Sequence, residues 1–316
     1  MQRWQGLEDV PLDQPRSVVA LGIFDGVHRG HRAIVGKAVE HAHAVGAPSV
    51  VITFDPHPSD VVRPGTHPAL LSTIDQRCHL LAELGVDAVC VLPFTRSLAS
   101  LTPQAFVDQV IIERFHALAV VVGANFRFGH RAAGDTELLE ELGALADFVV
   151  DAEPLVAGVG GAWSSTYIRG LVGAGDVASA RASLGRSHRV EGTVVHGDAR
   201  GRELGYPTAN LTTTPHSAVP ADGVYAASLI VAPYTAHETS YPAAVSIGTN
   251  PTFGSRERRV EAYVLDRDDL ALYGAHVAID FVARIRGQAT FDGIDALVAR
   301  MAIDVEETRG ILASGI

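Results

Sequence analysis

Five short apolar runs in the first half of the chain are unbroken rather than alternating: Ser17–Phe24, Ser49–Phe54, Ala88–Pro93, Ala119–Gly123 and Phe148–Pro154. A strand that is apolar at successive positions needs cover on both faces, which a parallel sheet packed between helices supplies. The stretches between them, Arg32–Val45, Ile74–Leu84, Pro103–Phe115 and Thr136–Ala146, carry the spacing of such covering helices. This alternation predicts a doubly wound α/β layer.

Near Gly185–His188 the rhythm changes. Arg189–His196, Gly223–Ala232, Tyr241–Ile247, Arg259–Leu265 and His276–Ile285 are short strand candidates separated by Gly, Pro and Asn turns. That pattern predicts a small antiparallel barrel or sandwich. Ile294–Ala313 has helical spacing at Leu297, Val298, Met301, Val305, Ile311 and Leu312, and is expected to pack on it. A chain of 316 residues accommodates two such domains, expected over residues 1–186 and 187–316.

Composition narrows the function. Apolar residues at 47% and charged residues at 19% exclude a disordered chain. No apolar run is long enough to span a bilayer, and Met1–Val10 lacks the apolar core of a signal peptide. The expectation is a cytoplasmic protein without membrane or nucleic-acid partners. The net charge of −11 points the same way, since a nucleic-acid grip requires positive charge. Lys37 is the only lysine among 25 basic residues, so the rest are arginines, whose fork suits phosphate and carboxylate. Cys78 and Cys90 fit no metal spacing and read as buried thiols in a reducing compartment.

Gly22-Ile23-Phe24-Asp25-Gly26-Val27-His28-Arg29-Gly30-His31 leaves the first strand and opens the first helix. A glycine-rich turn of this kind lets backbone N–H groups approach phosphate at a helix N-terminus. His28 and His31, three apart, can aim at one anion, as neutralising an α-phosphate during pyrophosphate displacement requires. Blandly, the string is a Gly-rich turn with two surface histidines; a metal pair lacks a nearby third ligand. Gly123–Gly129, following the fourth run, belongs on the same rim by the rule that ligands sit beyond the carboxyl ends of parallel strands. Thr53–Pro58 ends the second run there too, or is simply a proline-bounded turn. Ser164–Arg169 precedes a helix and alone would read as a cap. Lys37 lacks the pattern of a P-loop.

In the second half, Gly197–Asn210 is a Gly/Arg loop running into Pro207-Thr208-Ala209-Asn210. Glycine-freed amides can wrap a polyphosphate, and the oxygens of Thr208 and Asn210, two apart on an extended segment, suit Mg²⁺. Ile247–Gly254 is another polar loop. In the strand after it, Glu261 shares a face with Tyr263 and Leu265, where a carboxylate is either paired with arginine or a general base for an alcohol.

Together the ordered motifs GIFDGVHRGH, TFDPHP, GANFRFG, SSTYIR, GDARGRELGYPTANL, DGVYA, IGTNPTFG and VEAYVLD resemble those of the prokaryotic bifunctional riboflavin kinase/FAD synthetase family, particularly its actinobacterial members, from about Ser17 to Leu312. The resemblance implies an N-terminal Rossmann-like nucleotidyltransferase domain and a C-terminal antiparallel six-stranded barrel with a terminal helix. The barrel would phosphorylate riboflavin with ATP to give FMN; the first domain would adenylylate FMN to FAD and release pyrophosphate. By motif match, Glu261 would be the kinase base and Thr208 and Asn210 would hold Mg²⁺. Gly197, Arg200, Gly201, Arg202, Gly205 and Pro207 would contact the kinase nucleotide. In adenylyl transfer, His28 and His31 would be catalytic, with Gly22, Phe24, Asp25, Gly26 and Gly30 lining the phosphates. Asn125, Ser164, Ser165, Thr166 and Arg169 would join them. Pro56, Phe126, Arg127 and Phe128 in the first half, and Asn250 and Thr252 in the second, would contact flavin. The chain departs from the family at Ala271-Leu272-Tyr273-Gly274, where an acidic residue commonly precedes Leu-Tyr-Gly, and in a longer Arg267–Leu272 connection.

Overall fold

A computed structural model describes residues 1–158, 161–197, 201, 204–248 and 259–314. The chain divides into two compact units, the first of residues 1–68 and 74–164, the second of residues 69–73 and 165–316.

The first unit is built on six parallel strands: β1 (Gln2–Gln5), β2 (Val18–Leu21), β3 (Ser49–Asp55), β4 (Ala88–Pro93), β5 (Ala119–Gly123) and β6 (Val149–Glu153), in the order β1-β4-β3-β2-β5-β6. The unbroken runs are explained by the two cores they separate. Val19, Leu21, Ile52, Cys90 and Val120 face one core, with Phe106, Phe115 and Leu139. Val18, Ala20, Val51, Val89 and Val121 face the other, where helices α1 (Arg29–Val45) and α2 (Ile74–Ala82) bury Val35, Ala38, Ala42, Cys78 and Leu81. Helix α3 (Thr136–Ala146) has the predicted bounds. The expected helix Pro103–Phe115 is instead an α-helical turn, Pro103–Phe106, followed by a π-helical stretch, Val107–Ile112. Strand β1 was not anticipated, because only Trp4 of its four residues is buried; edge pairing with β4 makes it a strand.

Both thiols are buried and free. Removal from water pushes the Cys90 thiol up to about 12 and raises that of Cys78, so both stay protonated and inert at neutral pH.

The second unit opens with helices α4 (Ser165–Ala174) and α5 (Val177–Leu184) and continues into six strands. These are β7 (His188–Val195), β8 (Thr208–Thr213), β9 (Gly223–Val231), β10 (Thr239–Gly248), β11 (Arg259–Val264) and β12 (His276–Arg286). They close into an antiparallel barrel in the order β8-β11-β10-β9-β12-β7. Strand β8 holds the Thr208–Asn210 segment. The barrel core comprises Leu229, Ala243, Val245, Ile247, Ile279 and Phe281, with Val177 of α5 added to it.

Helix α6 (Ile294–Ala313) packs on β9, β10 and β12, as its spacing predicts. Its buried residues, however, are Asp304 and Thr308 rather than its apolar ones. The Asp304 carboxylate accepts from Arg286 Nε (3.0 Å) and Nη2 (2.7 Å) and from Arg300 Nε (2.8 Å), so a fork-matched ion network fastens this helix to β12.

Because Val177 completes the barrel core, Val177→Ala is expected to lower stability by about 1–3 kcal/mol. Urea unfolding followed by circular dichroism tests this; an unchanged midpoint would mean that the barrel closes its core without α5.

Candidate active sites

In the first unit, the sheet order reverses direction between β2 and β5, and the carboxyl ends of strands flanking such a switch point form the ligand crevice of open α/β sheets. The turn from β2 into α1 lies at that end. Phe24 and Val27 both adopt positive φ, 51° and 38°, around Gly26 at 80°. A β-branched residue in this region is strained, and the turn keeps it because both side chains are fully buried.

His28 caps α1: its Nδ1 accepts the backbone N–H of His31 at 3.3 Å. An Nδ1 that accepts carries no proton, so while this bond stands the ring is neutral with its hydrogen on Nε2. The His28 and His31 rings stack with centroids 3.6 Å apart, and Phe24 meets His31 edge-on at 5.3 Å. Gly22 and Gly30 are glycine for space: a Cβ on either would stand 2.9 Å from the Phe24 ring or 3.1 Å from the His28 ring. The cap thus sets an imidazole with its hydrogen on Nε2 beside a helix N-terminus, a place whose amides and dipole favour negative charge.

Asp25 is 1% exposed, and its carboxylate faces Nη2 of the buried Arg77 at 3.7 Å. Arg77 Nη1 donates to Thr53 Oγ1 (3.1 Å) and the Phe54 carbonyl (3.3 Å), while the Thr53 hydroxyl donates to the Ile23 carbonyl (2.8 Å). One guanidinium therefore ties the turn after β2 to the end of β3. Arg77 was not anticipated; the available signal was a lone arginine among Cys78, Leu80 and Leu81 on the buried side of α2.

Pro56 is exposed just beyond β3 and follows a cis peptide bond. Asn125 is exposed just beyond β5, with its Oδ1 close over Gly123. Phe126 is half-buried and stacks on Phe128 at 5.6 Å; Arg127 pairs with Asp135 at 3.1 Å. Phe128 is committed to the first core beside Phe106, so it backs Phe126 instead of facing solvent. Ser164 is the last residue of the first unit, whereas Ser165, Thr166 and Arg169 begin α4 in the second. Arg169 Nε donates to the Ala69 carbonyl at 2.8 Å.

In the second unit, the barrel register assembles the expected kinase residues. Asn210 on β8 stands directly opposite Glu261 on β11, which in turn opposes Ser246 on β10; Thr208 opposes Tyr263. Directly opposed residues have Cβ atoms about 4.5–5.5 Å apart, so one oxygen-rich row crosses three strands. Alternation along β11 buries Val260, Ala262 and Val264 and leaves Glu261 and Tyr263 half-buried on the outer face. Leu265, expected to share the Glu261 face, lies past the strand end and is buried. Tyr263 packs edge-on against Tyr206 at 5.2 Å, and burial raises its hydroxyl above the ordinary phenol range. Gly197 approaches so closely that a Cβ would overlap the Asn210 amide at 2.2 Å.

Asn210 Oδ1 is buried without a hydrogen-bond partner among the described residues. A neutral, hard, orphaned oxygen two residues from the Thr208 hydroxyl, with a carboxylate opposite, fits a magnesium ion whose remaining ligands are water and substrate phosphate. Arg200, Arg202, Asn250 and Thr252 lie outside the described residues.

Comparison with known proteins agrees in both halves. Residues 10–167 match the FAD synthetase family and residues 184–312 the riboflavin kinase family. The bifunctional riboflavin kinase/FMN adenylyltransferase of Pseudomonas fluorescens is 34% identical over 99% of this chain and 98% of its own. That of Escherichia coli K12 is 33% identical over 92% and 91%. A crystal structure described as a macrolide-efflux protein from Streptococcus pneumoniae superposes with a TM-score of 0.86 at 34% identity, covering 97% of this chain and 98% of that one. Among the described residues no helix is long and apolar enough to cross a membrane.

Removing one partner of a buried ion pair strands the other charge, so Arg77→Ala is expected to destabilise the protein by about 3–5 kcal/mol. Denaturant unfolding checks it, and a loss below about 1 kcal/mol would show that Asp25 does not depend on this guanidinium.

Proposed function

The chain belongs to the bifunctional riboflavin kinase/FMN adenylyltransferase family, and on that premise we propose how its residues divide the two reactions. The enzyme phosphorylates riboflavin with ATP to give FMN, and adenylylates FMN with a second ATP to give FAD and pyrophosphate. We assign the adenylyltransferase module to residues 1–186 and the kinase module to residues 187–316. The observation that supports the division best is the pairing of Asn210 with Glu261 on the barrel, in a different compact unit from the His28 cap.

In the kinase reaction the nucleophile is an alcohol, which must lose a proton as its oxygen attacks the γ-phosphorus. The Glu261 carboxylate takes that proton, and ADP leaves. Thr208 and Asn210 are the residues that would hold Mg²⁺, which when bound neutralises charge on the ATP phosphates. Gly197, Gly201, Gly205 and Pro207 shape the nucleotide loop, and Tyr206 and Tyr263 buttress the strand beside it.

In adenylyl transfer an oxygen of the FMN phosphate attacks the α-phosphorus of ATP and the bond to pyrophosphate breaks. That nucleophile is already anionic, so no base is needed. What the transition state requires is donors for the growing negative charge. His28 supplies its Nε2 proton as a hydrogen bond, and His31, the amides of α1 and Asn125 add to it. Ser164, Ser165, Thr166 and Arg169 supply further phosphate contacts, and Pro56, Phe126 and Arg127 the flavin side. Cytoplasmic residence, small-molecule partners and a monomer or weak homo-oligomer belong to the same reading, and the net charge of −11 supports leaving nucleic acid out of it.

The two activities should separate by mutation when riboflavin, FMN and FAD are resolved by chromatography. Glu261→Gln is expected to lower FMN formation by about 10²–10⁴-fold while FMN still becomes FAD; loss of both would defeat the two-site assignment. His28→Ala is expected to lower FAD formation about 10²-fold with FMN formation intact, and normal FAD output would remove it from catalysis. Asn210→Ala should move the magnesium midpoint of the kinase reaction upward, and an unchanged titration would count against ligation.

A further inference from the structure

Arg29 opens α1 with its side chain exposed, and its guanidinium lies over the indole of Trp163, 5.5 Å from the ring centroid. Arg189, Arg267 and Arg286 also lie over rings, those of Tyr234, Tyr241 and Phe291. Each of these three forks onto an aspartate as well: Arg189 onto Asp280, Arg267 onto Asp269 and Arg286 onto Asp304. Arg29 is different. Among the described residues no carboxylate meets it, and the aromatic face is what holds it. A ring face attracts a cation through its quadrupole and takes up none of its N–H donors, whereas a carboxylate occupies the fork. The guanidinium of Arg29 is therefore steered while its donors stay open to a ligand.

The indole is seated by the chain beyond β6. There Ala157 pairs with Ala162 and Gly158 with Gly161, and the Trp163 N–H donates to the Val156 carbonyl at 3.0 Å. Gly158 is glycine for this ring, because a Cβ there would overlap the indole Nε1. A Cβ on Gly30 would stand 3.6 Å from the Trp163 carbonyl and 3.1 Å from the His28 ring. Trp163 thus meets the first turn of α1 beside the His28 cap, and all of these residues belong to the first unit. That turn carries Arg29 and Arg32 and no acidic residue. Cations there oppose the helix dipole, the wrong sign for stabilising the helix and the right one for an anion shared by its amides and a guanidinium.

We propose that Arg29 is a further phosphate-binding residue of adenylyl transfer and that Trp163 is its positioning residue. The inference rests on the reading of the His28 cap as the adenylyl-transfer site. The His28 ring, which accepts at Nδ1, brings no formal charge of its own to substrates that carry several negative charges. A guanidinium adds a full positive charge and a fork that matches two phosphate oxygens. Held on the indole beforehand, it gives up less rotamer freedom when the anion arrives. The ligand chemistry is a phosphate group, either the β- and γ-phosphates that leave as pyrophosphate or the FMN phosphate that attacks. The substrate whose KM moves tells which.

The test uses the full chain, with adenylylation run forward from ATP and FMN and backward from FAD and pyrophosphate, and riboflavin phosphorylation as the reference reaction. Arg29→Ala is expected to raise the affected KM about 10–100-fold, as loss of a charged hydrogen-bonded contact does. The constants for ATP and pyrophosphate move together if Arg29 takes the leaving phosphates, and that for FMN moves if it takes the attacking one. Arg29→Lys, which keeps the charge and loses the fork, should fall between. Trp163→Leu, which removes the ring face, should move the same constant about two- to fivefold, and Trp163→Phe, which restores a face, should return most of it. Both constants of the kinase reaction stay unmoved throughout. A contact that merely fastens Trp163 to α1 would lower the active fraction, and so kcat of adenylylation, with every KM unmoved; that result would overturn the proposal. So would an Arg29→Ala chain whose constants all stay within about twofold of the parent. A raised KM in Arg29→Ala beside an unaltered Trp163→Leu would overturn the positioning role of Trp163 alone. Normal adenylylation in His28→Ala would overturn the underlying reading of the cap.

Discussion

The turn between β2 and α1 depends on a charge pair that is almost dry. Asp25 and Arg77 are both nearly inaccessible, and Arg77 also takes the Thr53 hydroxyl and the Phe54 carbonyl. Burying two ions is costly, so such a pair persists only where its geometry and remaining hydrogen bonds offset desolvation. Here the return is conformational. The guanidinium pins the ends of two neighbouring strands, which lets Phe24 and Val27 hold positive φ and brings His28 onto the N-terminus of α1. Loosening the pair would release a strained turn, and the histidine cap would go with it.

The barrel reaches its site by a different constraint, namely register. Asn210 and Glu261 are 51 residues apart in sequence, and only the pairing of β8 with β11 sets them side by side. A slip of one residue on either strand would turn its member of the pair toward the core and put Ala209 or Ala262 in its place. Register is held because Ala209, Leu211, Val260, Ala262 and Val264 are buried on the opposite face. The chemistry on the outer face is thus specified by packing on the inner one.

How much of this was legible follows from the range of the forces involved. The unbroken Val and Ile runs report burial on two faces, a local property, and so β3, β4 and β5 could be read within a residue of their ends. Thr136–Ala146 and Ile294–Ala313 were likewise bounded by their own spacing. Strand β1 was hidden because pairing, not composition, makes Gln2–Gln5 extended. Strand β8 could be read only as an extended segment, since its polar outer face masks Ala209 and Leu211. The motif histidines were legible, but not that His28 turns its Nδ1 back to accept the His31 N–H. Arg77 and Asp304 were invisible for one reason: each matters through a partner well away in sequence.

The single lysine, first a curiosity of composition, has a structural consequence. Asp25 and Asp304 meet arginine in the interior and Asp280 meets one half-buried, and at Asp304 and Asp280 a fork engages both carboxylate oxygens. An ammonium could balance the charge at these places but could not hold two oxygens and a plane at once. Arg286 docks a helix, Arg189 braces the strand that carries Glu191, and Arg77 locks the turn between β2 and α1. Each task is one of orientation, and orientation is what a planar, multidentate cation adds beyond charge.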